Sequence, residues 1–198
     1  MDQQQQAPNH RDGLRNAIAL IVFIARAFAL SVEVCLHRTS TFGERYVGLQ
    51  AGAALLLIFF WPALCEPGHD PDPMLTLLGL VFCLLIGIRS RIAIRRRRGG
   101  PQPHSYYSGT PWLMRFTGRM SEAKVKSEVE PFFVAAVGGL MLALSPPLGG
   151  YLIFAGLGLL ITTNLGKEYE RTRALDMNDA QIEQRNIVER FRDMRGEK

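Results

Sequence analysis

Apolar residues in this chain are gathered into long runs, and most charged residues lie between the runs. A soluble helix or strand would instead alternate apolar and polar positions at its own period. The runs cover residues 14–36, 46–64, 74–94, 132–145 and 151–166. Because about 20 apolar residues suffice to cross a bilayer, this pattern predicts an all-α, multi-pass membrane protein with four to five membrane helices.

The last two runs are separated by a turn rich in proline and glycine, SPPLGG at residues 145–150. Such a turn predicts a break between two helices, so the two runs predict a short C-terminal helical hairpin. Both arms are shorter than a standard membrane span. Three arrangements stay open: the hairpin thins the bilayer locally, it is re-entrant, or its turn lies at the membrane interface.

Composition divides the chain into three parts. Residues 1–13 are polar and rich in glutamine, which predicts a disordered N-terminal tail. Residues 14–165 form the predicted membrane domain, with an inner loop at residues 95–130. Residues 167–198 are highly charged and predict an amphipathic helix in the cytoplasm.

One face of that last helix is apolar and forms a predicted assembly stripe. An apolar stripe on a charged helix packs against another surface. That surface is the cytoplasmic face of the same chain, a second copy, or a helix of a partner protein. The residues of the stripe are Met177, Ala180, Ile187, Val188, Phe191 and Met194.

Small residues recur four positions apart in three of the apolar runs. Gly48 and Gly52 form one pair, and Gly79, Cys83 and Gly87 follow the same spacing. A similar strip of small residues lies at 135, 139 and 143. Strips of this kind let two membrane helices approach closely, so they predict helix packing within the chain or with other subunits.

The first apolar run contains two ionisable residues, Arg26 and Glu33, which form a predicted intramembrane polar pair. Charged groups at membrane depth are costly and face protein or water. The pair is therefore buried against other helices, or it lines an ion or proton path. A third alternative is that residues 14–36 lie flat in the interface, with a polar stripe of Arg15, Arg26, Glu33 and His37 facing water.

A cluster of arginines follows the third apolar run and predicts the orientation of the protein. Arginine and lysine are retained on the cytoplasmic side of membrane helices, and the same side chains attract anionic lipid headgroups. We therefore expect a C-terminus in the cytoplasm, in a bacterial inner membrane, while the side of the N-terminus stays open. The residues are Arg89, Arg91, Arg95, Arg96, Arg97 and Arg98.

Aromatic residues follow the arginine cluster and predict a belt at the membrane interface, where Trp and Tyr are enriched. They are Tyr106, Tyr107, Trp112 and Phe116. Phe42 and Tyr46, in the loop after the first run, are predicted to be interface anchors for the same reason. The net charge of +5 does not indicate nucleic-acid binding, because most of the arginines flank membrane segments.

Groups with an evident chemical role are scarce in this sequence. None of the common catalytic motifs lies in a fitting context, and the three cysteines are widely spaced without a metal-ligand pattern. The histidines are scattered among loops and helix ends, so no metal site and no cofactor are expected.

Three functions remain as hypotheses. The favoured one is a structural or accessory subunit of a larger membrane complex, which binds lipid and other subunits or itself. The alternative is a small transporter or channel in which Arg26 and Glu33 line a polar path. The third is a membrane enzyme that uses the inner loop 99–130, where His104, Tyr106 and Tyr107 lie.

Overall fold

The structure is a computed structural model that describes residues 10–65, 72–99 and 103–195. Most of these residues are helical, and the only pairing of extended backbone among them is an isolated bridge between His37 and Pro111. The α-helices are α1 (His10–Leu36), α2 (Leu49–Leu64), α3 (Asp72–Arg98), α4 (Glu122–Lys124), α5 (Glu130–Met141) and α6 (Pro146–Arg195).

One stretch singled out in the sequence falls partly outside this description. The predicted disorder of residues 1–9 lies outside the described residues. The remainder of the expected N-terminal tail, residues 10–13, belongs to α1. The first helix therefore begins earlier than its apolar run.

Two shorter helical elements lie between α3 and α5. A 3-10 turn covers Trp112–Arg115, and a π-helical turn covers Val125–Val129. The π-helical turn continues directly from α4 and leads directly into α5. The predicted inner loop 95–130 is therefore partly helical, and its first residues belong to α3.

Three of the described helices are long and apolar enough to cross a membrane. The corresponding segments are Gly13–Leu36, Asp72–Arg98 and Pro146–Arg192; an 18-residue window in each has a mean hydropathy of 2.2, 2.1 and 1.6, respectively. Helix α2 is apolar but has 16 residues, and α5 has 12. The expectation of an all-α protein with membrane helices is therefore confirmed at this coarser level.

The start of α2 differs from the expectation in an informative way. The run of apolar residues suggested a helix from Tyr46, but α2 begins at Leu49. Tyr46 and Val47 belong instead to the preceding turn, where both are buried, with 7% and 2% of their surface exposed. The loop before α2 is therefore part of the protein core.

The predicted helix break at residues 145–150 is wrong, because α6 begins at Pro146. Proline is well tolerated in the first turn of a helix, where its missing N–H would have no partner. The Gly149 amide donates to the carbonyl of Ser145, at 2.9 Å, as a first-turn hydrogen bond does. The actual turn is shorter and covers residues 142–145.

Helix α6 also continues through the expected boundary at residue 166 as far as Arg195. The chain nevertheless divides into two compact units after Thr162. The first unit contains α1 to α5 and the start of α6. The second unit begins at Thr163, and its described side chains from residue 164 onward are exposed wherever their burial is defined.

The core of the first unit surrounds the C-terminal half of α1. Leu30 of α1, Ile58 of α2, Ile88 of α3 and Tyr151 of α6 are almost completely buried there. The Tyr151 hydroxyl donates to Ser31 Oγ at 2.9 Å, so the one polar atom of this aromatic side chain is satisfied. This core supports the end of α1, where the polar residues described below are found.

Glycines allow close backbone contact between α6 and its neighbours. A Cβ atom at Gly149 would lie 2.5 Å from the Leu142 nitrogen, and one at Gly158 would lie 2.5 Å from the Ala25 carbonyl oxygen. The small-residue strip that was predicted in α5 does not make this contact at Gly139, which has open space around it. A Cβ atom at position 52, 79 or 87 would likewise have no neighbour within 4 Å.

We expect the substitution Gly158→Ala to destabilise the protein by about 1–3 kcal/mol, the usual cost of overpacking. The added methyl group would collide with the backbone of α1 at Ala25. Gly139→Ala is the matched control, since it adds the same methyl group in open space. Thermal unfolding in mild detergent measures both, and equal transition temperatures for the two variants would contradict the packing.

Candidate functional site

Four buried polar side chains meet where α1 ends and α5 begins. Glu33 and His37 come from the end of α1 and the residue after it, Tyr46 from the following loop, and Glu130 from the first position of α5. Their exposed fractions are 7%, 1%, 7% and 1% in that order. Buried ionisable groups require partners, so we treat these residues, the polar cluster, as the candidate site.

Two loops pair side by side to form the wall of the polar cluster. The Gly43 amide donates to the carbonyl of Tyr107 and the Arg45 amide to that of Ser105, both at 2.8 Å. The Arg38 amide donates to Thr110 in the same way, at 3.0 Å. These bonds bring residues 38–45 against residues 105–110.

Glycine is required at position 43, where the two loops meet, because there is no room for a side chain and not because of its backbone dihedral angles. A Cβ atom there would lie 2.4 Å from the carbonyl oxygen of His104. Backbone atoms cannot move aside as the end of a flexible side chain can. Only glycine therefore permits the loops to approach as they do.

His37 occupies the centre of the polar cluster. Its Nδ1 donates to the carbonyl of Ser108 at 2.7 Å, and its Nε2 lies 2.9 and 3.0 Å from the two carboxylate oxygens of Glu130. Burial by itself lowers the pKa of His37, but the hydrogen bond and charge of Glu130, with the charge of Glu33, outweigh it and raise the pKa. The favoured state is an imidazolium that donates from both ring nitrogens.

Tyr46 connects the two residues that were predicted to form an intramembrane pair. Its hydroxyl donates to the Glu33 carboxylate, and the Arg26 guanidinium lies over its ring, 5.8 Å from the centroid. Burial and the neighbouring charge of Glu33 raise the pKa of Tyr46 well above its ordinary value. Tyr46 therefore stays protonated, as the donor of this hydrogen bond requires. Arg26 and Glu33 meet on this tyrosine rather than in a direct ion pair.

A π-helical turn directly precedes Glu130. The turn follows Glu122, which accepts hydrogen bonds from Tyr107 and from Lys126, the latter at 2.6 Å. Glu130 must face His37 from the same stretch of helix. A π turn is wider than an α turn and changes the angle between residues before and after it. We attribute the simultaneous placement of Glu122 and Glu130 to this extra width.

Three of the clustered arginines bind the loop that contains Tyr46. Arg89 donates to the carbonyl of Val47, and Arg95 donates to the carbonyls of Phe42 and Ser40. Arg96 forms a salt bridge with Glu44. The remaining members, Arg91, Arg97 and Arg98, are exposed. The cluster therefore consists of three arginines that bind the loop, of which Arg89 and Arg96 are exposed as well, and three further exposed arginines.

The aromatic residues after α3 do not all have the environment expected of an interface belt. Tyr106, Trp112 and Phe116 are exposed, by 56%, 51% and 85%. Tyr107 is partly buried, donates to Glu122, and lies under the Lys126 ammonium, which is 4.5 Å from its ring centroid. Tyr107 thus stabilises the wall of the polar cluster.

Two further aromatic residues were wrongly expected at the membrane surface. Phe42 is fully buried and Tyr46 nearly so. Phe42 packs between the rings of His37 and Tyr46, with centroid distances of 6.1 and 5.8 Å. Both residues are part of the core because the loop that holds them folds inward.

The predicted assembly stripe lies on α6 in the second unit and is exposed along its length. Exposed fractions of its larger members are 61% for Met177, 51% for Ile187, 61% for Phe191 and 74% for Met194. His104, in the loop that the enzyme hypothesis invoked, is exposed as well. The exposed His104 is therefore not a member of the polar cluster.

The polar cluster is satisfied by groups of the chain itself. Among the described residues, no buried side-chain nitrogen or oxygen lacks a hydrogen-bond partner. The same residues contain no group of three or more His, Cys, Asp or Glu side chains placed to hold a metal ion. An arrangement of this kind holds helices and loops together through buried charge pairing.

His37, Tyr46 and Glu130 were not identified as a site from the sequence. His37 and Glu130 are separated by 93 positions, and no local spacing links them. One signal was present: both residues adjoin the ends of apolar runs, and in the topology predicted from the arginine cluster these two ends lie on the same side of the membrane. Ionisable residues at such ends are therefore candidates for pairing with each other.

Comparison with known proteins finds no matching family model, no matching curated protein and no matching solved structure.

We expect Glu130→Ala to destabilise the protein by about 3–5 kcal/mol, because it leaves the buried imidazolium of His37 without its partner. Glu128→Ala removes a carboxylate from an exposed position two residues earlier and serves as the control. The double variant His37→Leu with Glu130→Leu removes both charges and should recover most of the loss. Unfolding in mild detergent measures these variants together with His37→Leu and Glu130→Leu alone, and additive effects of those two single substitutions would contradict direct pairing.

Stability should also depend on pH through His37. Folding raises the pKa of His37. Its contribution to the free energy of unfolding is therefore fully present below the ordinary pKa of 6.5 and is lost as the pH rises through the pKa of the folded state. We expect the transition temperature to fall as the pH is raised above 6.5. His37→Gln should flatten that part of the profile, whereas an unchanged slope would show that another group is responsible.

Proposed function

We propose that this chain is a structural or accessory subunit of a larger assembly in a bacterial inner membrane. The observation that carries the proposal is the uncovered apolar stripe on the charged second unit, since such a surface requires a partner. A groove on the first unit supports the same conclusion. The polar cluster would then serve to hold the subunit in shape rather than to act on a substrate.

The groove lies between α2 and α3 and has a volume of about 370 Å³. Gly48, Ala51 and Gly52 contribute from α2 and the turn before it, and Phe82 and Ile86 contribute from α3. Small residues on the floor of a groove let a neighbouring membrane helix approach closely. This groove and the assembly stripe are the two surfaces that we assign to assembly.

The contacts within the first unit support an arrangement with five membrane segments. Arg95 and the polar cluster hold the end of α1, the loop before α2, the end of α3 and the start of α5 together. If the arginines lie in the cytoplasm, α1 ends there and the N-terminus lies on the opposite side. Helices α2 and α3 then form one hairpin, and α5 with the first part of α6 forms another. The charge content of residues 163–195 by itself suits a position in the cytoplasm.

The outward-facing arginines support an interaction with anionic lipid. Arg91, Arg97 and Arg98 are exposed near the cytoplasmic end of α3 in this arrangement. Each basic side chain close to a negatively charged membrane surface contributes about 1 kcal/mol of binding. Arg89, Arg95 and Arg96 already bind the loop and contribute less to such an interaction.

The geometry favours assembly over transport by Arg26 and Glu33. Tyr46 contacts both side chains: the Arg26 guanidinium lies over its ring, and its hydroxyl donates a hydrogen bond to the carboxylate of Glu33. A polar path would require these groups to face water. The alternative function of a small transporter or channel therefore lacks a specific observation in its favour.

The test is the size of the native complex. In membranes solubilised with mild detergent, the 22.1 kDa chain should migrate within a much larger assembly. Gly52→Leu, which fills the groove, should release a smaller species, while Gly139→Leu, in open space on α5, should not. A chain that runs as a monomer at every detergent concentration would contradict the proposal.

A further inference from the structure

The short 3-10 turn between α3 and α4 presents aromatic side chains on the surface of the first unit. Trp112 opens the turn and Phe116 follows it, and both are exposed. Leu113 and Met114, which lie between them, are only partly buried. The turn belongs to none of the segments that are long and apolar enough to cross a membrane. Clustered apolar surface of this kind marks a site of interaction.

Backbone pairing fixes the depth of this turn relative to α1. Pro111 forms the isolated bridge with His37, and the Arg38 amide donates to the carbonyl of Thr110 at 3.0 Å. The turn therefore begins level with the end of α1. In a chain whose α1 crosses the membrane, that end marks the boundary between the hydrocarbon and the headgroups. Trp112 then lies at headgroup depth, on whichever side of the membrane α1 ends.

Two arginines flank the exposed indole ring of Trp112. The Arg38 guanidinium lies over this ring, 5.3 Å from its centroid. Arg115 ends the same 3-10 turn, in which side chains three positions apart lie on the same side. Among the residues that the structure describes, neither arginine forms a salt bridge with a carboxylate. Both are exposed, so their guanidinium groups keep donors for an external anion.

The charge of this surface matches that of an acidic phospholipid. Residues 73–121 contain no aspartate or glutamate, so nothing in this stretch of sequence repels an anion. A guanidinium group binds phosphate through paired hydrogen bonds, and tryptophan is favoured at the level of the headgroups. A soluble anion would match the arginines but would leave the apolar side chains of the turn uncovered. A lipid covers both.

We propose that Arg38, Trp112 and Arg115 form a binding site for the phosphate of an anionic phospholipid, with Phe116 in contact with the same lipid layer. The site combines residues from two loops that the sequence does not connect. It goes beyond the proposed assembly function, because neither the groove nor the assembly stripe contributes to it. It requires only that α1 crosses the membrane.

The fluorescence of Trp112 tests its depth. The full-length chain is placed in vesicles of phosphatidylcholine and phosphatidylglycerol, and the spectrum of Trp112→Phe is subtracted to remove the emission of Trp61. The remaining emission should be quenched by phospholipids with brominated acyl chains, and it should be shielded severalfold from acrylamide compared with free tryptophan. Emission that acrylamide quenches as readily as free tryptophan, with no response to brominated lipid, would overturn the proposal.

Removal of a single arginine tests the preference for a negative headgroup. When phosphatidylglycerol is omitted from the vesicles, the Trp112 emission, obtained by the same subtraction, should shift to longer wavelength. Arg115→Gln should abolish most of this shift and leaves the contact between Arg38 and Trp112 in place. Arg91→Gln is the matched control, because it removes the same charge from an exposed position on α3, and it should leave the shift unchanged. Equal effects of the two substitutions would indicate a diffuse attraction and contradict a defined site.

A protein partner is the competing occupant of this surface. If Trp112 is shielded in native membranes but not in vesicles of the purified chain, a protein covers the turn and the lipid site is wrong. The outcome is also separate from that of the assembly test. A chain that is monomeric in detergent but has a shielded Trp112 in vesicles would contradict the assembly and support the lipid site, whereas a large complex with an unshielded Trp112 would do the reverse.

Discussion

The fold of the first unit depends on the neutralisation of one buried positive charge. His37 is almost fully inaccessible, and its ring is held between the carbonyl of Ser108 and the carboxylate of Glu130. A buried charge without a partner costs several kcal/mol, so the three elements that supply these groups cannot separate independently. The end of α1, the 103–111 segment and the start of α5 consequently form one structural unit, although they are distant in sequence.

The arginines at the end of α3 have two physical roles that the sequence does not separate. A guanidinium group is strongly retained on one side of a membrane, and it also carries donors suited to binding several carbonyl oxygens. Arg89 and Arg95 use those donors on the loop that carries Tyr46. The arginines from which the membrane orientation was predicted therefore also hold the wall of the polar cluster in place.

Local patterns were sufficient to predict the helical class and the approximate positions of the helices. They failed where a residue's environment depends on distant parts of the chain. Tyr46 and Phe42 resemble interface anchors in sequence, but the neighbouring loop buries them. The two prolines after Ser145 resemble a helix break, yet they occupy the first turn of α6, where proline is acceptable. The pairing of His37 with Glu130 could not be read from spacing at all.

The long separation between His37 and Glu130 has a consequence for biosynthesis. Glu130 is synthesised 93 residues after His37, when α1, α2 and α3 have already been synthesised. The pairing of His37 with Glu130 can therefore form only after all three helices and the start of α5 have been made, so the end of α1 is completed by a part of the chain that is synthesised much later.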